Sequence, residues 1–137
     1  MGTNVSYDHL TSLTIDNSDS DYTASAFSDN NWIPNFPVAK TINLKNMTLP
    51  TTLDFSKCMK LEELDLSNST VQEVILPASS HLKKVTLPSS ITSLTMTNNP
   101  NLKDLICDDD ENPWSNLTTL DINCNKVGSL DLTSFLH

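Results

Sequence analysis

The side chains able to do chemistry are few and far apart. The histidines His9, His81 and His137 are scattered, and His81 follows Ser79 and Ser80. A serine–histidine pair needs a third group to orient the imidazole and an oxyanion hole opposite it. The chain has two glycines and neither a Gly-rich phosphate loop nor a G-x-S-x-G elbow. Cys58, Cys107 and Cys124 are odd in number and form no C-x-x-C pair, so they read as buried thiols rather than a disulfide framework. Carboxylates are denser. The run Asp108-Asp109-Asp110-Glu111 has the ligand type for Ca²⁺ but lacks the interleaved glycine and spacing of a calcium loop. A solvated acidic turn is the expectation there, and Asp16, Asp19 and Asp21 are read the same way. The chain is therefore expected to be no enzyme, with no catalytic, cofactor-binding or metal-ligating residues.

Charge narrows the partners. The formal net charge is -9, and all eight basic residues are lysines. A phosphate-tracking surface needs a basic patch, usually with arginine, so no nucleic-acid partner is expected. No apolar run approaches the ~18 residues of a membrane span. The opening MGTNVSYDHL lacks the basic and apolar segments of a signal peptide. Sequons at Asn4, Asn46, Asn68 and Asn116 are what an Asn-, Ser- and Thr-rich chain generates by chance, and no glycosylation is read from them.

What must position any site is an internal repeat. Leu117-Thr-Thr-Leu120-Asp-Ile122-Asn-Cys-Asn125 fits L-x-x-L-x-L-x-x-N at every anchor, and Leu61-Glu-Glu-Leu64-Asp-Leu66-Ser-Asn-Ser69 fits with Ser for Asn. Ala39-Lys-Thr-Ile42-Asn-Leu44, Leu82-Lys-Lys-Val85-Thr-Leu87 and Leu102-Lys-Asp-Leu105-Ile-Cys107 follow the same pattern. Starts lie about 22, 21, 20 and 15 residues apart, near the 20–29 of a short-repeat period. A second half-pattern sits inside each unit: Leu53-Asp-Phe55, Val74-Ile-Leu76, Leu94-Thr-Met96 and Leu130-Asp-Leu132. Both halves alternate apolar with polar residues, the period of a half-buried strand, and no stretch sustains a 3.6-residue period. Pro50, Pro77, Pro88 and Pro100 are expected at or just after strand ends.

The pattern resembles the leucine-rich-repeat superfamily over about residues 39–137, with Leu10-Thr-Ser-Leu13-Thr-Ile15 as an outlying match. Short paired units such as VILPASSHLKKVTLPSSITSLTM look like bacterial surface-antigen repeats, a kind that also occurs in phage virion proteins. The resemblance implies a mostly β leucine-rich-repeat solenoid with two short extended segments per coil of about 20–22 residues and little helix. Stacked coils would put Ile42, Leu64, Val85, Leu105 and Leu120 in one column, and Leu44, Leu66, Leu87, Cys107 and Ile122 in the next. Ser69, Ser79, Ser90, Asn99, Asp110 and Asn125, with Cys58, would hold the ninth position, where a small polar side chain satisfies backbone groups. The resemblance further implies a non-catalytic structural or adhesive module, extracellular, on a cell surface or in a virion. The alternatives are a soluble domain binding a peptide or glycan along its sheet, and a noncatalytic targeting module of a larger enzyme.

The organisation expected is an extension over residues 1–38, then coils over 39–137 with an insertion at 108–116. The ladder breaks at Asp16–Pro37 and Asp108–Asn116, polar loops that carry aromatics. Aromatic anchors are typical of interface hot spots, so Tyr22, Phe27, Trp32, Phe36 and Trp114 are candidate partner contacts. Trp32 and Phe36 read as well as a cap on the N-terminal end of the core, and Trp114 equally as packing on the coil. Alternation places Glu63, Asp65 and Asp121 outward on the first sheet, as candidate contacts for recognition through that face. The expected partner is a protein, or a further copy of the chain, met through coil ends and aromatic loops; a glycan is possible.

Overall fold

The structure, a computed structural model, describes residues 7–18, 33 and 36–122. Alternation of apolar and polar side chains makes short strands here, and nine form among the described residues, with no helix. They are β1 (Ser12–Asp16), β2 (Thr41–Lys45), β3 (Thr52–Asp54), β4 (Glu63–Asp65), β5 (Glu73–Ile75), β6 (Lys84–Leu87), β7 (Ser93–Thr95), β8 (Asp104–Cys107) and β9 (Thr119–Asp121). From β2 onward, strands alternate between two sheets. The first runs β1-β2-β4-β6-β8 and the second β3-β5-β7-β9. Every pairing is parallel. Each circuit of the chain thus lays one strand into each sheet before returning beside its predecessor.

Register carries the packing. Leu13, Ile42, Leu64, Val85 and Leu105 stand side by side across the first sheet, and Leu53, Val74, Leu94 and Leu120 across the second. The inward residues of both sheets form one core that also takes Leu44, Leu66, Leu87, Phe55, Leu61, Leu82 and Ile91. Burying each such side chain contributes roughly 1.5–3 kcal/mol. The outlying match at residues 10–15 supplies β1, in register with β2 from Ser12↔Thr41 to Asp16↔Lys45.

One expectation is overturned. Residues 117–122 do not continue the first sheet: β9 pairs with β7, so Leu120 joins Leu94 rather than Leu105, and Thr119 and Asp121 belong to the second sheet's outer face. The segment 108–118 is accordingly no interruption of the ladder but a corner turn, longer than the turns at 46–51, 66–72 and 88–92. Pro77 and Pro88 follow strand ends as expected, whereas Pro50 precedes β3.

The corners explain the ninth position. Ser69 Oγ donates to the Leu44 carbonyl at 2.8 Å and accepts from the Met47 amide at 3.1 Å. Ser90 Oγ donates to the Val71 carbonyl at 2.7 Å, and Ser79 Oγ to the Met59 carbonyl at 2.8 Å. Each hydroxyl therefore satisfies a backbone group of the preceding circuit, which burial would otherwise make costly. Asp110 departs from this series and is exposed, because the longer corner carries it away from the core. Asn125 lies outside the described residues. Three corners bend through an asparagine in the left-handed region, Asn46 (φ 58°), Asn68 (φ 56°) and Asn98 (φ 56°). Asparagine tolerates that conformation better than most residues, and a chain with two glycines uses it instead.

Candidate interaction surfaces

Both aromatic candidates that the structure describes, Phe36 and Trp114, are buried. Phe36 is buried and stacks on Tyr7, with ring centroids 5.1 Å apart and planes 6° from parallel. Phe36 belongs to the hydrophobic core, so of its two readings the buried one fits this placement and the surface contact does not. Trp114 is likewise buried in the core, and its amide donates to Cys107 Sγ at 3.5 Å. An indole with its area already covered by its own chain has none to offer a partner. Tyr22, Phe27 and Trp32 lie outside the described residues.

The acidic candidates split between two faces. Glu63 is exposed and Asp65 half-buried on β4, while Asp121 sits on β9 of the other sheet. Asp65 is already engaged. Ser67 donates to its Oδ1 through both amide and hydroxyl, and Lys45 Nζ lies 3.4 Å from Oδ2. Burial alone would raise its pKa, but the Ser67 hydrogen bonds and the Lys45 charge outweigh it and hold the carboxyl below its usual value. A depressed folded-state pKa means that Asp65 contributes stability above its unfolded pKa of about 3.9, and that this is lost as pH falls through the lower folded value. Asp65→Asn is therefore expected to flatten the stability–pH curve of the wild type below about pH 4, measured by urea melts across pH. An unchanged acid limb would contradict this.

The run at 108–111 is built into the corner. Asp108 accepts from the Asn68 amide at 2.7 Å and from the Ser89 amide at 2.8 Å, tying together the corners of two preceding circuits. Asp109 Oδ1 accepts from the amides of Glu111 and Asn112, both at 3.0 Å. Asn68, Ser69, Pro88, Ser89, Ser90 and Asp108–Asp110 line an open depression of about 440 Å³. Among the described residues no group of three or more His, Cys, Asp or Glu side chains is placed to hold a metal ion. Ser79 Oγ, 3.1 Å from His81 Nδ1, also accepts the His81 amide at 3.1 Å, so the pair closes a turn. Cys58 is fully buried, and desolvation first, then the charge of Asp54, pushes its thiol up to about 11.

A feature that sequence reading missed lies at the opposite corner, where the chain passes from the second sheet back to the first. Amide-to-carbonyl bonds Glu62→Lys40, Lys83→Glu62 and Lys103→Lys83, at 2.8, 2.9 and 3.0 Å, stack these four residues one per circuit. Lys40 and Lys83 share Glu62 at 4.0 and 3.3 Å. Lys57, Lys60 and Lys103 are exposed and make no ion pair among the described residues. The signal was present in the sequence: lysine follows the first anchor in Ala39-Lys40, Leu82-Lys83 and Leu102-Lys103.

Among the described residues no helix is long and apolar enough to cross a membrane. Comparison with protein-family models, with curated proteins and with solved structures finds no match. Among the described residues the chain is mostly β, in two parallel sheets, with essentially no helix.

Proposed function

We propose that this chain is a non-catalytic leucine-rich-repeat solenoid that serves as a structural or adhesive module. It holds position in an extracellular assembly, on a bacterial cell surface or in a virion, by meeting a protein partner or further copies of itself through the ends of the stack. The observation that supports this is how coverage falls along each apolar column. Leu53, Val74 and Leu94 are at most 1% exposed, whereas Leu120, next in that column, is 36% exposed. At the other end Leu13 and Ile15 of β1 are only partly buried, while Ile42 and Leu44 beside them are fully buried. Edge strands that carry such residues are templates for pairing with another chain, and a stack of repeats needs its ends covered to stay soluble.

The leucine-rich-repeat reading rests on the anchors quoted above and on one short strand per half-unit. The non-catalytic reading rests on the sequence, whose two glycines and scattered histidines offer neither a phosphate loop nor a G-x-S-x-G elbow. Sedimentation velocity over a range of micromolar concentrations tests the assembly. Concentration-dependent association is expected, weakened by Leu120→Lys. A strictly monomeric chain with a single cooperative melt would overturn it.

A further inference from the structure

Six of the eight lysines, Lys40, Lys57, Lys60, Lys83, Lys84 and Lys103, lie on or beside the corner leading into the first sheet, on a chain whose net charge is -9. Five carboxylates flank them, with exposed Asp121 in the same row of the second sheet as Asp54. Asp54 is hydrogen-bonded to the Ser56 amide at 2.9 Å, and Glu62 is shared by Lys40 and Lys83. Glu63 and Asp104 stand on either side of Lys84 in the outer column of the sheet. Lys57, Lys60 and Lys103 make no ion pair among the described residues, and Lys83 shares Glu62 with Lys40.

The stacking gives these groups a regular geometry. Lys83 and Lys103 are adjacent rungs, so their backbones lie ~4.8 Å apart. Beside them runs a second exposed row in which Lys60, His81 and Asn101 hold equivalent places two residues after the inward Cys58, Ser79 and Asn99. Asn101 Nδ2 donates to the Ser80 carbonyl at 2.8 Å, which fixes its amide across that row. The result is a ridge in which Lys60, Lys83 and Lys103 stand beside the hydrogen-bonding groups of His81 and Asn101, with Glu62 as the carboxylate of the row. The corner from residue 55 to 62 and its counterparts at 76–83 and 96–103 contain no aromatic side chain beyond Phe55, which is buried, and no arginine. A protein partner is ordinarily anchored on such groups.

We infer that this ridge is a binding surface for an anionic polysaccharide. Its sulfate or carboxylate groups meet Lys60, Lys83 and Lys103, and its hydroxyls meet His81 and Asn101. The overall negative charge does not prevent this. The acidic run at 108–111 lies at the far end of the first-sheet strands, roughly 13–17 Å away for strands of four or five residues. At physiological ionic strength the screening length is about 8 Å, so the ridge acts through its own local charge. This site is separate from the stack ends, and it stands or falls independently of the assembly reading.

The test uses the whole chain on immobilised heparin and, in solution, on polygalacturonate, with poly-glutamate as the peptide polyanion. Binding to one or both polysaccharides is expected at low salt, with log K falling linearly as log salt rises. The double variant Lys83→Glu/Lys103→Glu should bind at least tenfold more weakly. Lys45→Glu, a charge reversal at the other end of the first sheet, should bind within about twofold of the wild type; melting curves confirm that both variants fold, and Lys83→Gln/Lys103→Gln serves if charge reversal unfolds the chain. Absence of binding at 50 mM salt, an unaffected double variant, or poly-glutamate bound as tightly as the polysaccharides would each overturn the inference.

Discussion

Leu64→Asp abolishes the cooperative thermal transition, whereas Glu63→Ala, one residue away, shifts stability by only about 0.5 kcal/mol. The contrast follows from alternation. Leu64 is 1% exposed at the centre of the first sheet, between Ile42 and Val85, while Glu63 points outward. Removing the leucine forfeits roughly 1.5–3 kcal/mol of apolar burial. An ionised carboxylate in its place adds an effective penalty of several kcal/mol, since among the described residues no cation is buried in the interior. Against a total stability of about 5–15 kcal/mol, the sum removes the native state. Far-UV circular dichroism on heating is the measurement. A cooperative melt for Leu64→Asp within a few degrees of the wild type would mean that this column does not hold the stack together.

The columns could be foreseen because their cause is local. Apolar residues two apart must share a face in an extended chain, and residues about twenty apart must share a column if the chain returns to its starting point. The core positions of β2, β4, β6 and β8 follow from nothing more. The hydroxyls of Ser69, Ser79 and Ser90 were legible for a similar reason, since a small polar group at a buried corner has few uses beyond satisfying backbone.

Sheet membership at the end was not legible from the motif. Ile91-Thr-Ser-Leu94-Thr-Met96 fits the anchor pattern as well as Leu61-Glu-Glu-Leu64-Asp-Leu66, because strands of both sheets alternate alike. Only spacing separates them. The step of about 15 residues from Leu102 to Leu117 is one half-unit with a lengthened corner, not a shortened whole unit, and β9 accordingly falls on β7. The candidate surfaces were less legible still. The aromatic loops drew attention through composition, yet Phe36 and Trp114 spend their rings on the core. The lysine ridge is spread over four circuits, with its members about twenty residues apart in sequence, and becomes visible only once the circuits are stacked.

Trp114→Ala costs about 3–5 kcal/mol, the range for deleting a large buried aromatic, and lowers Tm by on the order of 15 °C. The side chain is 6% exposed, and its corner, spanning 108–118, has no other buried apolar residue. Asp108 secures the start of that corner to Asn68 and Ser89, and Asn116 Nδ2 donates to the Ser89 carbonyl at 2.8 Å near its end. Trp114 is thus the apolar peg between two polar ties. A ring that served a partner instead would leave the melt of the isolated chain unchanged when truncated, so an unaltered Tm would contradict the placement. Backbone geometry sharpens the test. Trp114 sits at φ 61°, where a bulky side chain costs on the order of 1–3 kcal/mol. Glycine adopts that φ without penalty. Trp114→Gly should therefore be less destabilising than Trp114→Ala, the reverse of the order expected in an extended strand, and Trp114→Phe should retain most of the stability because it keeps the peg.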